Sequence, residues 1–157
     1  MNYSYYPKRP IRSFQDLEVY QKTYALAIKT IKKIKDEISE KTKNNKTMIL
    51  AIETNQTITR NIIETVLAIP KLIASAHSLR FGDPEKAIST LEKCMLSCNM
   101  AILYLEEFRD IVNQKIEAEY FEEQIKEYLR IRGKIMRLQR SWLKFMSQRK
   151  QNGKIKQ

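Results

Sequence analysis

The stretch SFQDLEVYQKTYALAIKTIKKIKDEI, residues 13–38, decides the fold. Within it Leu17, Tyr20, Tyr24, Ala27, Ile31, Ile34 and Ile38 recur at alternating spacings of three and four. That is the period of one face of an α-helix, so the stretch reads as about six turns of amphipathic helix. Ser13 with Asp16 three residues on is a start signal of the capping-box type, hydroxyl and carboxylate each taking a free backbone N–H. Lys29, Lys32, Lys33 and Lys35 flank the seam at solvated positions. The helix is expected to end near residue 42, with KTKNNK at 41–46 as the first turn.

The same period continues downstream. A second helix is expected over 47–80 on Ile58, Ile62, Val66, Ile69, Ile73 and Ala76, widened by Ile63 and Leu67. Pro70 lies inside it, lacks an N–H and crowds the carbonyl four residues back. The pattern resumes at once, so a kink is preferred to a break and restart. Arg80-Phe81-Gly82 ends this helix; Asp83 caps the next, with Pro84 first and Glu85 in the opening turn. The third helix carries Ile88, Leu91, Met95, Cys98, Ile102, Leu105, Phe108 and Val112. A turn is placed at NQKIE, 113–117, although it holds neither Gly nor Pro. The fourth helix runs to about 147 on Phe121, Tyr128, Ile131, Ile135, Leu138, Trp142 and Phe145, with Trp142 as a core anchor. Gly133 costs that helix about 1 kcal/mol against Ala, which close approach of another backbone would justify. Residues 1–12 read as a flexible arm with Tyr3, Tyr5 and Tyr6 near Lys8, Arg9 and Arg12, suited to stacking on bases or packing on a neighbouring subunit. Residues 148–157 read as a disordered basic tail. The expectation is all-α: an antiparallel up-down four-helix bundle over 13–147, with a short flexible N-terminal arm and a basic C-terminal tail.

Composition agrees. Three Gly and four Pro in 157 residues leave little turn chemistry for many short strands. No continuous apolar run approaches the ~20 residues of a membrane span, and MNYSYYPKRPIRS carries no apolar core of a secretory signal. Cys94 and Cys98, four apart, share a helix face and read as small core residues rather than a disulfide, which points to a reducing, cytoplasmic setting. His77 is the single histidine, so a His/Cys zinc set is not expected, nor any cofactor. It sits at a helix end, where the dipole favours its charged form. There is no Gly-rich phosphate loop, G-x-S-x-G or H-E-x-x-H, and the pairs Glu106-Glu107 and Glu122-Glu123 fall off the apolar stripes. The reading is non-enzymatic.

Charge is distributed unevenly. The net charge is +11, and residues 128–157 hold ten Lys or Arg and no acid. A one-sign block of this size attracts polyanions. Arg130, Lys134, Arg137 and Lys144 fall about a third of a turn from the apolar stripe of the fourth helix, so a basic face can stay free while the stripe packs. Candidate nucleic-acid-binding residues are Arg130, Arg132, Lys134, Arg137, Arg140, Lys144, Arg149 and Lys150. The competing reading is a solubilising face and a loose tail.

Three stretches resemble a known group. Phe14, Asp16, Leu17, Val19 and Tyr20 match the Phe-x-Asp-Leu-x-Val-(Trp/Tyr) opening of four-helix-bundle proteins encoded in intervening sequences of large-subunit ribosomal RNA genes. Ala68-Ile69-Pro70-x-x-Ile73-Ala74 resembles their Ser-Ile-Pro-x-x-Ile-Ala segment, with Ser75 and Ala76 in place of the usual Glu-Gly. Lys86 and the Leu91 to Phe108 pattern are similar to the third helix of that group and of its sister group. GKIMRLQRSWLKFM, 133–146, looks more like a sister group, the accessory variability determinant proteins of diversity-generating retroelements. Their last helix tends to read Gly-Arg-Met-Leu-x-x-Trp-(Leu/Ile); Gly133, Met136 (shifted by one) and Trp142-Leu143 stand in for it here.

The resemblance implies a homopentameric barrel of four-helix bundles. It also implies association with a reverse transcriptase, and RNA or DNA binding through a basic surface that supports RNA-templated mutagenic cDNA synthesis. The alternative is an interaction or structural protein of the ribosomal-RNA intervening-sequence type, without a polymerase partner. A basic helix lying on an anionic membrane fits less well, because its apolar stripe continues the bundle pattern.

Overall fold

The computed structural model describes residues 11–44, 49–112 and 118–154, and all regular structure among them is helical. Four long helices, α1 (Glu18–Asn44), α2 (Ile49–Leu79), α3 (Pro84–Glu107) and α4 (Ala118–Lys154), form a four-helix bundle. α3 packs on both α2 and α4, and α1 bridges α2 and α4 on the other side. The turn expected at 41–46 gives way to helix as far as Asn44, where α1 runs about two residues beyond its expected end; residues 45–48, the turn expected at 113–117 and the arm through residue 10 lie outside the described residues.

The start signal at Ser13 is real but caps a different element. Ser13 Oγ accepts from Gln15 N at 3.2 Å, and Asp16 Oδ2 accepts from the amides of Ser13 at 3.0 Å and Arg12 at 2.9 Å. They close a 3-10 turn, Phe14–Asp16; Leu17 is then extended and α1 begins at Glu18. Arg12, assigned to the arm, is thus held by Asp16.

The buried side of α1 is rotated from the seam that apolar residues alone define. Tyr24 is 51% exposed, and Tyr20, Ile31 and Ile38 are only half-buried. The buried set is Val19, Thr23, Leu26, Ala27, Thr30 and Ile34, with Leu17 just ahead of the helix. Two threonines can face the core because their hydroxyls donate to their own helix: Thr23 to the Tyr20 carbonyl at 2.8 Å, Thr30 to the Leu26 carbonyl at 2.9 Å. The methyl groups then pack like those of valine.

α2 supplies Ile58, Ile62, Val66, Ile69, Ile73 and Ala76 to the core, as its periodicity predicts. Each such aliphatic side chain contributes about 1.5–3 kcal/mol of burial. The helix passes through Pro70, itself buried, without interruption, so the break-and-restart alternative is excluded. Residues 53–79 are long and apolar enough, by length and composition, to cross a membrane. No continuous apolar run had signalled this, because isolated polar residues interrupt the stretch; its apolar stripe is the one that packs on α1 and α3.

α3 starts as expected. Asp83 Oδ1 accepts from the Lys86 amide at 3.0 Å, with Pro84 in the first turn. Cys94 and Cys98 are buried free thiols, and Cys94 Sγ donates to the Ile69 carbonyl of α2 at 3.4 Å. Burial pushes both thiols up, Cys98 to about 12, so neither is a nucleophile at neutral pH. The last turn, Phe108–Val112, is a π-helix that keeps both Phe108 and Val112 buried. Phe108 meets Phe121 of α4 at 5.8 Å between ring centroids.

α4 buries Phe121, Gln124, Tyr128, Ile131, Ile135 and Gln139, and its apolar stripe loses cover towards the end: Leu138 and Trp142 are half-buried and Phe145 is 52% exposed. The cause is a mismatch in extent. Lys134 Nζ meets Glu18 of the first turn of α1 at 3.0 Å, so beyond it α1 no longer lies alongside. The helix continues to Lys154 rather than giving way to a disordered tail at 148; no Gly or Pro lies between Lys134 and Asn152 to end it sooner.

Candidate nucleic-acid interface

α4 sorts its basic residues by what surrounds each one. Arg137, Arg140 and Lys144 are exposed and make no ion pair among the described residues. At helical spacing they stand on the side away from Ile131 and Ile135, so the core-facing stripe holds them outward. Arg149 is also exposed, its guanidinium 5.5 Å from the Phe145 ring centroid.

The other candidates are partly committed. Arg130 is exposed but ion-paired with Glu127 one turn earlier. Lys134 is 28% exposed and joins Glu18, which also binds Lys22 at 2.7 Å. Arg132 turns towards the α3 side, half-buried, with its Nε lacking a partner and its charge acting on Cys98. The side chain of Lys150 lies outside the described residues. The structure therefore brings together Arg137, Arg140 and Lys144 as free cations, with Arg130 on the same outer side.

Three unpaired cations across two turns of helix, with no carboxylate among them, form a strip of positive potential suited to phosphate. Among the described residues no three His, Cys, Asp or Glu side chains come together as a metal set.

A second feature escaped sequence reasoning. Where α4 outruns α1, a cavity of about 250 Å³ opens between the α2–α3 turn and the last turns of α4. Arg80, Phe81, Pro84, Trp142, Phe145 and Met146 line it. Phe81 is 66% exposed, and the Arg80 guanidinium lies 4.3 Å from its ring centroid. The available signal was the pairing of an aromatic with an arginine at 80–81 and again at 145 and 149. Phe145 had been assigned to the packed stripe instead.

Nearby His77 runs opposite to its helix-end expectation. Burial, then the Arg80 charge, lower its pKa from 6.5; Asp16 opposes them only partly. Its Nε2 has no hydrogen-bond partner. Desolvation and a cation outweigh the helix dipole, so the imidazole is neutral at pH 7.

The chain matches no protein-family model, no curated protein and no solved structure.

Proposed function

We propose that this chain is a non-enzymatic nucleic-acid-binding protein that holds RNA or DNA by its phosphates along the outer face of α4. The exposed, unpaired set Arg137, Arg140 and Lys144 carries the reading. Unpaired cations on a stable helix release counterions when they meet a polyanion, and no carboxylate lies in the sequence between Arg137 and Lys144. Arg130 and Arg149 extend the strip, and Lys150 continues it in sequence.

The bundle is inferred to be antiparallel and up-down. Glu18 beside Lys134, and Thr30 beside Tyr128 and Gln124, support opposite directions for α1 and α4. Assembly into a cyclic homo-oligomer, a pentamer by resemblance, is supported by large apolar side chains left exposed on three helices: Tyr24 of α1, Leu96 and Leu103 of α3, and Leu129 and Leu143 of α4. A head-to-tail ring would join two different patches, one holding Tyr24 and the other holding Leu143. The partner proposed from the resemblance is a retroelement reverse transcriptase, whose RNA-templated cDNA synthesis the ring would support from the cytoplasm.

The test is a salt titration of RNA and DNA binding by wild type and by the double variant Arg137→Ala with Lys144→Ala. Binding weakened equally for all sequences, with the log–log salt slope flattened by about 2, supports the reading. An unchanged slope and affinity refute the surface. Co-purification with a reverse transcriptase encoded beside the chain, weighed by light scattering before and after nuclease, tests the partner. A lone oligomer that ignores both polymerase and RNA leaves the fold and removes that role.

A further inference from the structure

We infer that the cavity at the open end of the bundle is a base-stacking site, and that the nucleic acid held by α4 is single-stranded. The inference rests on the phosphate-binding reading of α4 and names its substrate class.

The cavity is apolar but set in positive charge. Phe81 and Phe145 are its two exposed rings, 66% and 52% accessible, and each has an arginine against it: Arg80 at 4.3 Å and Arg149 at 5.5 Å. Two exposed rings lining one apolar cavity, rimmed by polar residues, make the kind of patch that marks an interaction site. A flat, polarisable base covers a ring by stacking, and a guanidinium beside the ring adds a cation–π contact and a hydrogen-bond donor. Arg80 Nε is such a donor, buried and without a partner.

Position links the two features. Phe145 follows Lys144 directly and lies two turns after Arg137, about a quarter turn around the helix. A strand tracking the cations towards the end of α4 reaches Phe145 next. At about 250 Å³ the cavity is smaller than the usual pocket for a drug-sized ligand and suits one base. Bases in a duplex are stacked on each other and cannot enter, whereas single strands present them freely.

The competing occupant is this chain's own segment 1–10, with Tyr3, Tyr5 and Tyr6. It enters the described structure at Ile11, close to Asp16, whose charge acts on His77 near the cavity. The charge surrounding the cavity favours the polyanion, since that segment is itself basic at Lys8 and Arg9.

The experiment uses the full chain and three probes of equal length, about twelve units: oligothymidylate, an abasic phosphodiester chain, and a duplex. Anisotropy gives affinity, and Trp142, the single tryptophan and a cavity residue, reports occupancy by fluorescence. Oligothymidylate is expected to bind about fivefold or more tighter than the abasic chain and to quench Trp142, which the abasic chain and duplex do not. The double variant Phe81→Leu with Phe145→Leu, checked for folding by its melt, should lose that preference while keeping abasic affinity and salt slope. Equal affinity for base-bearing and abasic chains, or a preference that survives the double variant, overturns the stacking site and leaves the phosphate reading intact. Failure to bind any probe at low salt removes both. Trp142 emission blind to all probes but shifted by deletion of residues 1–10 assigns the cavity to the chain's own arm and overturns the proposal.

Discussion

Tyr128 and Thr30 meet hydroxyl to hydroxyl at 3.0 Å in the buried seam between α4 and α1. Gln124 Oε1 stands 3.1 Å from the same Thr30 oxygen, which also reaches the Leu26 carbonyl at 2.9 Å. Thr30 has one proton, so Tyr128 is the partner able to donate to it while that proton goes to a carbonyl. Burial pushes the Tyr128 phenol further above its usual range and keeps it a donor at every working pH. Thr30→Val strands the Tyr128 hydroxyl and should cost about 1–3 kcal/mol, whereas Tyr128→Phe should cost about 1 kcal/mol. The double variant should fall short of the sum in a denaturant double-mutant cycle; strict additivity would mean that the two hydroxyls are not coupled.

Glu18 anchors the first turn of α1 to the middle of α4 by holding Lys22 and Lys134. Those two bonds, Lys22 first, take its carboxyl from 4.5 down to about 2. A carboxyl depressed in the folded state contributes stability that is whole above about 4.5 and lost as pH falls towards 2. Glu18→Gln should therefore lower the melting point modestly at neutral pH, where the contribution is whole, and converge with wild type as pH falls towards 2, so that its acid limb is flatter. An acid limb identical to wild type would show that the pair is not coupled to folding. The site is exposed, so added salt should shrink the effect.

Periodicity gave four helices because the apolar residues of α2 and the early part of α4 are also the buried ones. It misplaced the seam of α1 because it counted Tyr24 as core and Thr23 and Thr30 as polar. In fact a threonine bonded to its own helix buries easily, while a tyrosine's ring can lie on the surface, as Tyr24 does, stacked on Tyr20 at 6.2 Å. The basic residues of α4 were legible as a group but not individually. Whether a lysine is free or paired depends on what another helix places opposite, and Glu18 opposite Lys134 is 116 residues away in sequence. The cavity was illegible for a related reason: it exists because α4 outlasts α1, and relative helix extent in three dimensions has no local signature.

Gly133 separates two expectations. A Cβ built there meets no atom within 4 Å, so nothing among the described residues requires a glycine. The close approach that the sequence invited does not occur within the subunit. Gly133→Ala should raise stability by about 1 kcal/mol through helix propensity and a less flexible unfolded chain. Should the same variant also lower the mass measured by light scattering, a neighbouring subunit approaches that helix closely. Unchanged stability would mean that the helix already strains at this point.

Ring assembly makes a prediction that no single variant tests. Leu129 and Leu143 lie two heptads apart and are 52% and 43% exposed, on the outer side of α4; Tyr24, 51% exposed, belongs to α1. A glutamate at either surface should stop assembly, because a desolvated charge in an apolar contact has no partner. Tyr24→Glu alone and Leu143→Glu alone should each run as monomers by light scattering. Mixed in equal amounts, they retain one good surface apiece, and a head-to-tail contact joins one copy of each. The mixture should give a dimer and stop there, since both outer surfaces of that dimer are broken. Full-size rings from the mixture would mean that the two patches do not meet each other. Monomers throughout would place the contact elsewhere, and a large assembly of either variant alone would remove that surface from the interface.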